Sequence, residues 1–185
     1  MLYVVTGGSG SGKSEYAESL AVQNRTEQGN LYYIATMIPQ DGECKRRIER
    51  HRLMRKEKGF STIECYHHLE QIRAGEQDVI LLECLSNLLA NEMYGREGRI
   101  RERGEAGIAA AKRAILAPIF QLEREAGAVI VVTNEVFSDG MTYDEETADY
   151  LRFLGILNRE LAKGACGLTE VVCGIPVCHK GGTLC

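Results

Sequence analysis

The sequence predicts an α/β protein in three layers, a mostly parallel sheet with helices on both faces and an antiparallel hairpin at one edge. Three observations carry this prediction. Short, β-branched apolar runs recur along the 185 residues, each reading as a strand buried on both faces. Helical periodicity separates most of them, so strands and helices alternate. Near the C-terminus two extended stretches follow each other with only a tight turn between.

Leu2-Tyr3-Val4-Val5-Thr6 is the first run, and a glycine-rich turn follows it. From Lys13, the apolar residues Ala17, Leu20 and Ala21 fall at helical spacing until the polar stretch 24–30 stops the pattern. A second strand reads at 31–35, a charged helix at 43–58, a short strand at 62–64 and a small helix around Leu69. Residues 78–83 form the clearest strand, ending on a carboxylate, and a helix runs from there to about Tyr94. The charged, glycine-bearing stretch 95–104 is expected to be a mobile loop. Residues 106–126 read as an alanine-rich helix interrupted at Pro118, and 128–133 as another buried strand. Leu151, Leu154, Leu157 and Leu161 place one apolar stripe on a helix. Residues 169–173 and 177–179 read as strands joined by Gly174-Ile175-Pro176. With no repeat, linker or low-complexity segment, residues 1–185 are expected to be one domain.

Against 26 Asp and Glu stand 22 Lys and Arg, a formal charge of -4 that argues against a general nucleic-acid binder. No apolar run approaches the roughly 20 residues of a membrane span, so a soluble, cytoplasmic protein is expected. Seven cysteines form no C-x-x-C pair and are expected to be reduced packing residues. Cys178 beside His179 has no second pair at zinc spacing and is not read as a metal site.

Gly7-Gly8-Ser9-Gly10-Ser11-Gly12-Lys13-Ser14 fits G-x-x-x-x-G-K-[ST] in full and lies between a strand and a helix, as its mechanism requires. Glycines let successive backbone N–H groups curl around an anion, and the helix N-terminus adds its positive end. Lys13 is expected to bridge the outer phosphates and Ser14 to ligate Mg²⁺. The fold is therefore expected to be P-loop NTPase-like, and the ligand a purine triphosphate. The loop leaves the reaction open, because the same cradle serves kinases, switches and ATPases.

Glu83, at the end of the apolar run Val79-Ile80-Leu81-Leu82, is a candidate for Mg²⁺ or for the nucleotide ribose. Residues 43–58 carry eight basic and three acidic side chains, concentrating positive charge in an acidic chain. On a helix Arg47, His51 and Arg55 share one face, where neighbouring charges disfavour imidazolium and leave His51 neutral and nucleophilic. The residues alone leave open whether this is a phosphate site, a solvated basic face or a histidine satisfied within the fold.

An ordered set of segments resembles one family, the bifunctional adenosylcobinamide kinase and adenosylcobinamide-phosphate guanylyltransferase of cobalamin biosynthesis. It runs from Val5-Thr6-Gly7-Gly8 and Ser11-Gly12-Lys13-Ser14 through Tyr33-Ile34-Ala35-Thr36, Arg47-Ile48 with His51-Arg52, and Thr62-Ile63-Glu64-Cys65. It continues with Leu81-Leu82-Glu83-Cys84, Val132-Thr133-Asn134-Glu135-Val136, Leu157-Asn158 and Gly174-Ile175-Pro176. The resemblance implies that ATP or GTP phosphorylates adenosylcobinamide, after which GMP passes from GTP to that phosphate through a guanylylated histidine matched by His51. It also implies nucleotide contacts at Ile34, Ala35, Thr36, Arg52, Leu53, Met54, Arg55, Glu64 and Glu83, and a homotrimer. Two departures stand out. Phe60 replaces a usual Trp, and Phe137-Ser138-Asp139-Gly140-Met141-Thr142 replaces a glycine- and proline-bearing loop, which puts corrinoid preference and the kinase half in question. Rival readings are a P-loop kinase with another small acceptor, which would leave His51 idle, and a GTP-dependent switch. Against the switch, the chain has no D-x-x-G, and Asn134-Glu135-Val136-Phe137 is not N-K-x-D.

Overall fold

Seven strands form a single sheet in the order β3-β2-β4-β5-β1-β6-β7 in the computed structural model, which describes residues 1–39, 42–138 and 140–181. Within the helix that follows β2, and just past its end, the side chains of residues 43–45, 47, 50, 51, 54 and 56 lie outside the description. The strands are β1 (Leu2–Thr6), β2 (Leu31–Ala35), β3 (Phe60–Glu64), β4 (Val79–Glu83), β5 (Ala128–Val132), β6 (Gly167–Val172) and β7 (Ile175–Lys180). All pairings are parallel except β6 with β7. The expected parallel sheet with an antiparallel hairpin at one edge is the observed fold.

Side chains alternate across each strand, and this sorts the core into two layers. Leu2, Val4, Ile80, Leu82, Val129 and Val131 pack on the face covered by α3 (Leu85–Tyr94), α4 (Gly104–Ala111), α5 (Ala117–Glu125) and α6 (Glu145–Gly164). Val5, Val79, Leu81, Ala128, Ile130 and Val132 pack on the other face, against Ala17, Leu20 and Ala21 of α1 (Lys13–Gln23). Burying each such side chain contributes roughly 1.5–3 kcal/mol, so the central strands β4, β5 and β1 anchor the fold. The functional loop springs from the end of β1, in the middle of this anchored region.

Helix α2 (Gly42–Arg55) leaves β2 and returns through a 3-10 turn at Lys56–Lys58 to β3. Three local features differ from the sequence expectation. Pro118 does not break its helix, because a π turn at Lys112–Leu116 precedes it and the proline falls in the first turn of α5, where its missing N–H needs no partner. The hairpin turns on Cys173 and Gly174, both left-handed at φ 51° and 82°, rather than on residues 174–176. Pro176 instead lies in β7, at the sheet edge, where a strand tolerates the lost donor.

The third difference concerns residues 95–104, which are pinned rather than loose. Arg99 donates to Glu92 of α3 from Nη2 at 3.0 Å and from Nε at 3.3 Å, and to both oxygens of Glu70 at 2.6 and 3.0 Å. Arg101 caps the Met93 and Gly95 carbonyls, and Ile100 is buried. The cysteines also divide. Cys65 and Cys84 are buried packing thiols, with burial pushing Cys65 up to about 11, whereas Cys166, Cys173 and Cys178 are exposed free thiols.

Candidate active site

The loop 7–14 is built by three glycines that no other residue replaces without strain. Gly7, Gly10 and Gly12 all have positive φ, at 153°, 71° and 91°. A Cβ on Gly7 would lie 2.5 Å from the Val171 carbonyl oxygen, and one on Gly12 would press on Gly174 at 3.4 Å. The loop is braced on both flanks. The Glu135 N–H donates to Gly7 O at 3.1 Å from the β5 side, and the Gly174 N–H of the hairpin turn donates to Ser11 O at 2.8 Å from the other. Lys13, at the N-terminus of α1, donates from Nζ to Gly8 O at 2.9 Å, which holds the ammonium against the loop.

A cavity of about 730 Å³ opens beside this loop at the C-terminal ends of β4 and β2. Lys13, Ser14, Glu83, Cys84, Asn87 and Asn134 line one part of it. Ile48, Glu49, Arg52, Leu53 and Arg55 of α2, with Glu64 and Tyr66, line another. A cleft outside the carboxyl ends of parallel strands is where open α/β sheets bind ligands.

Ser14 and Glu83 meet across the end of β5, the Ser14 hydroxyl donating to Glu83 Oε1. Glu83 Oε2 is buried with no hydrogen-bond partner. Burial pushes this carboxyl above the ordinary glutamate range, and the Ser14 hydrogen bond with the Arg55 and Lys13 charges only partly offsets the rise. A hydroxyl and a carboxylate with a spare buried oxygen fit a hard divalent cation, which favours oxygen ligands.

Arg55 is only 4% exposed, and its guanidinium carbon lies 3.4 Å from the Tyr33 ring centroid. Its Nε and Nη1 have no hydrogen-bond partner, and its ion pair with buried Glu18 is long, at 3.9 Å, while Lys58 holds that carboxylate at 2.6 Å. Buried guanidinium donors left over in this way suit a phosphate oxygen. Arg52 pairs with Glu64 at the rim, and the Tyr66 hydroxyl donates to Glu64 Oε2 at 2.9 Å.

Of the residues expected at the site, the structure brings Lys13, Ser14, Ala35, Arg52, Leu53, Arg55, Glu64 and Glu83 to this cavity. It does not bring the side chains of Ile34 and Thr36. Ile34 points into the core on the opposite face of β2. Thr36 is fully buried, donating from its hydroxyl to Cys84 O at 2.9 Å and accepting from Cys84 N at 2.6 Å, so it ties β2 to β4. Three consecutive strand residues cannot all face one side, and Tyr33, two before Ala35, takes the third place. The side chains of His51 and Met54 lie outside the described residues, although both belong to α2. Asn87, Tyr66 and Asn134 are cavity residues the sequence reading did not assign. Asn134 is fixed by donating from Nδ2 to Ser86 Oγ at 2.6 Å, and its only signal was its place just past a buried strand.

A solved structure of a phage-type ATPase domain would share little with this chain in sequence, and the one compared is only 10% identical, yet it shares the fold with a TM-score of 0.51, covering 91% of this chain and 68% of that one. At the level of sequence the likeness to other proteins is closer. The bifunctional adenosylcobalamin biosynthesis proteins CobU of Escherichia coli (strain K12) and Salmonella typhimurium are each 34% identical over 185 residues, covering 96% of this chain and 98% of theirs. Residues 3–178 match the family described as cobinamide kinase / cobinamide phosphate guanyltransferase, from the first strand to the last, and the chain belongs to that family.

Proposed function

We propose that the protein is a bifunctional transferase of adenosylcobalamin biosynthesis, which phosphorylates the aminopropanol hydroxyl of adenosylcobinamide with ATP or GTP and then joins GMP from GTP to that phosphate. The observation that carries the reading is the family match over 3–178, on a chain whose phosphate loop, Ser14 and Glu83 converge on one cavity. Lys13 and the loop N–H groups bind the outer phosphates, and Arg55 supplies buried donors to the same chain of phosphates. Ser14 and Glu83 hold Mg²⁺, which when bound neutralises charge on the phosphates.

For the second step we assign the nucleophile to His51. What supports it is helix position: Ile48, Arg52 and Arg55 of α2 line the cavity, and position 51 lies three residues after the first and four before the last. A neutral imidazole attacks the α-phosphorus as pyrophosphate leaves, and the nucleotidyl group then passes to the phosphate of the acceptor, which restores the imidazole. Among the described residues no helix is long and apolar enough to cross a membrane. A cytoplasmic homotrimer belongs to the same proposal, and rests on the family resemblance alone.

The test is incubation with Mg²⁺ and GTP labelled at the α-phosphorus. Wild-type protein is expected to take up acid-labile, base-stable label and His51→Ala none. Label retained by His51→Ala moves the nucleophile elsewhere, and no label on either protein leaves a kinase alone.

A further inference from the structure

The proposed kinase step puts a geometric demand on the surface around the phosphate loop. The reacting hydroxyl is on a side arm of a flat corrin ring, and the arm must reach the phosphate end of the cavity at Lys13 and Ser14. The ring itself is too broad to follow it past a bound nucleotide, so it rests on the border of that end.

On the Glu83 side of β1 that border is the segment leaving β5. Asn134 lines the cavity, and the next residue, Glu135, is bonded to Gly7 of the loop. The Glu135 carboxylate then accepts from Phe137 N and from Ser138 Oγ, both at 3.0 Å, which fixes the turn that presents Phe137. The far edge of the Phe137 ring rests beside Gly155 of α6. Val136, Phe137, Met141 and Tyr143 are nevertheless between 37% and 68% exposed. Single exposed apolar residues need no explanation, but four large ones held beside a substrate cavity do.

Resting on the reading above, we propose that Val136, Phe137, Met141 and Tyr143 form the ledge that receives the corrin ring of the acceptor. Aromatic rings stack on a flat conjugated face, and a methionine thioether adapts to its irregular rim. The other exposed apolar cluster beside the loop, Val172, Ile175 and Val177 of the hairpin, lies across β1 from Glu83 and Asn134, away from the end where the hydroxyl must arrive.

The experiment compares wild type, Phe137→Ser/Met141→Ser and Ile175→Ser for binding of dicyanocobinamide, followed by visible absorbance in equilibrium dialysis, with GTP binding and sedimentation measured alongside. The double variant is expected to bind the corrinoid about tenfold more weakly or worse, the loss of one well-buried apolar contact. Its GTP affinity is expected to stay within about twofold of wild type, which also shows that it folds, and Ile175→Ser is expected to bind both ligands normally. Unchanged corrinoid binding by the double variant overturns the ledge. A change confined to its sedimentation also overturns it, and assigns the surface to a second copy of the chain. If wild type binds GTP but no corrinoid, the acceptor reading itself fails, a result distinct from either.

Discussion

Replacing Arg99 with alanine is expected to lower the unfolding free energy by about 3–5 kcal/mol, the cost of stripping a buried carboxylate of its cation. Glu92 is fully buried on α3 and accepts from Arg99 through Nη2, Nε and the backbone N–H, and from the His68 N–H at 3.1 Å. Without the guanidinium only the two backbone donors remain. Against a typical total of about 5–15 kcal/mol, chemical denaturation would register this as a large fraction of the stability. The pH dependence tests the cause. Burial pushes the Glu92 carboxyl up, but the Arg99 and backbone hydrogen bonds outweigh it and hold the group below the ordinary glutamate range. A carboxyl with a lowered native pKa contributes stability that is present above its unfolded pKa and lost as pH falls through the native one. The gap between wild type and Arg99→Ala should therefore be widest near neutrality and shrink on acidification. A gap that is constant with pH would mean that Arg99 acts by packing alone. Because α3 starts directly after Cys84 and carries Asn87, loosening it should also weaken the nucleotide site.

The phosphate loop was legible from sequence because its chemistry is local: glycines for positive φ, a lysine and a serine opening a helix, all within eight consecutive residues. The strands were legible because burial on both faces leaves continuous apolar runs. What lay beyond sequence was order in space. Ser14 meets Glu83 only because β5 stands between β1 and β4, and the chain's pattern of alternation does not state which strand lies next to which. Ile34, Ala35 and Thr36 were assigned as a unit by resemblance, but strand alternation sends Ile34 to the core and gives its place to Tyr33. Residues 95–104 look mobile by composition, since charge and glycine mark loops. The partners that pin Arg99, Glu70 and Glu92, are invisible without tertiary structure.

Exchanging Glu83 for glutamine should separate stability from function. Activity in both steps is expected to fall by about two orders of magnitude or more, since the variant keeps the shape but loses the charge that anchors the cation, and charge stabilisation of several kcal/mol is lost from the transferring phosphorus. The ligand-free variant should at the same time unfold at a higher temperature than wild type. The sign follows from burial. Glu83 has a native pKa above its unfolded value, so the native state binds the proton more tightly, and stability falls as pH rises through the interval between the two. At neutral pH the wild type bears that penalty, whereas glutamine, still able to accept from Ser14, does not. The stability advantage of Glu83→Gln should thus be small at acid pH and grow as pH rises past the ordinary glutamate range. Adding Mg²⁺ with GTP should reverse the order, because a ligand that binds only the native state stabilises the protein able to hold it. An equal melting temperature at every pH would show that the Lys13 and Arg55 charges fully compensate the buried carboxylate. Full activity in Glu83→Gln would remove the residue from the cation site and leave Ser14 as its sole side-chain ligand from the pair. A buried acid that weakens the empty protein and is relieved by its cargo is the signature expected of a site selected for turnover rather than for stability.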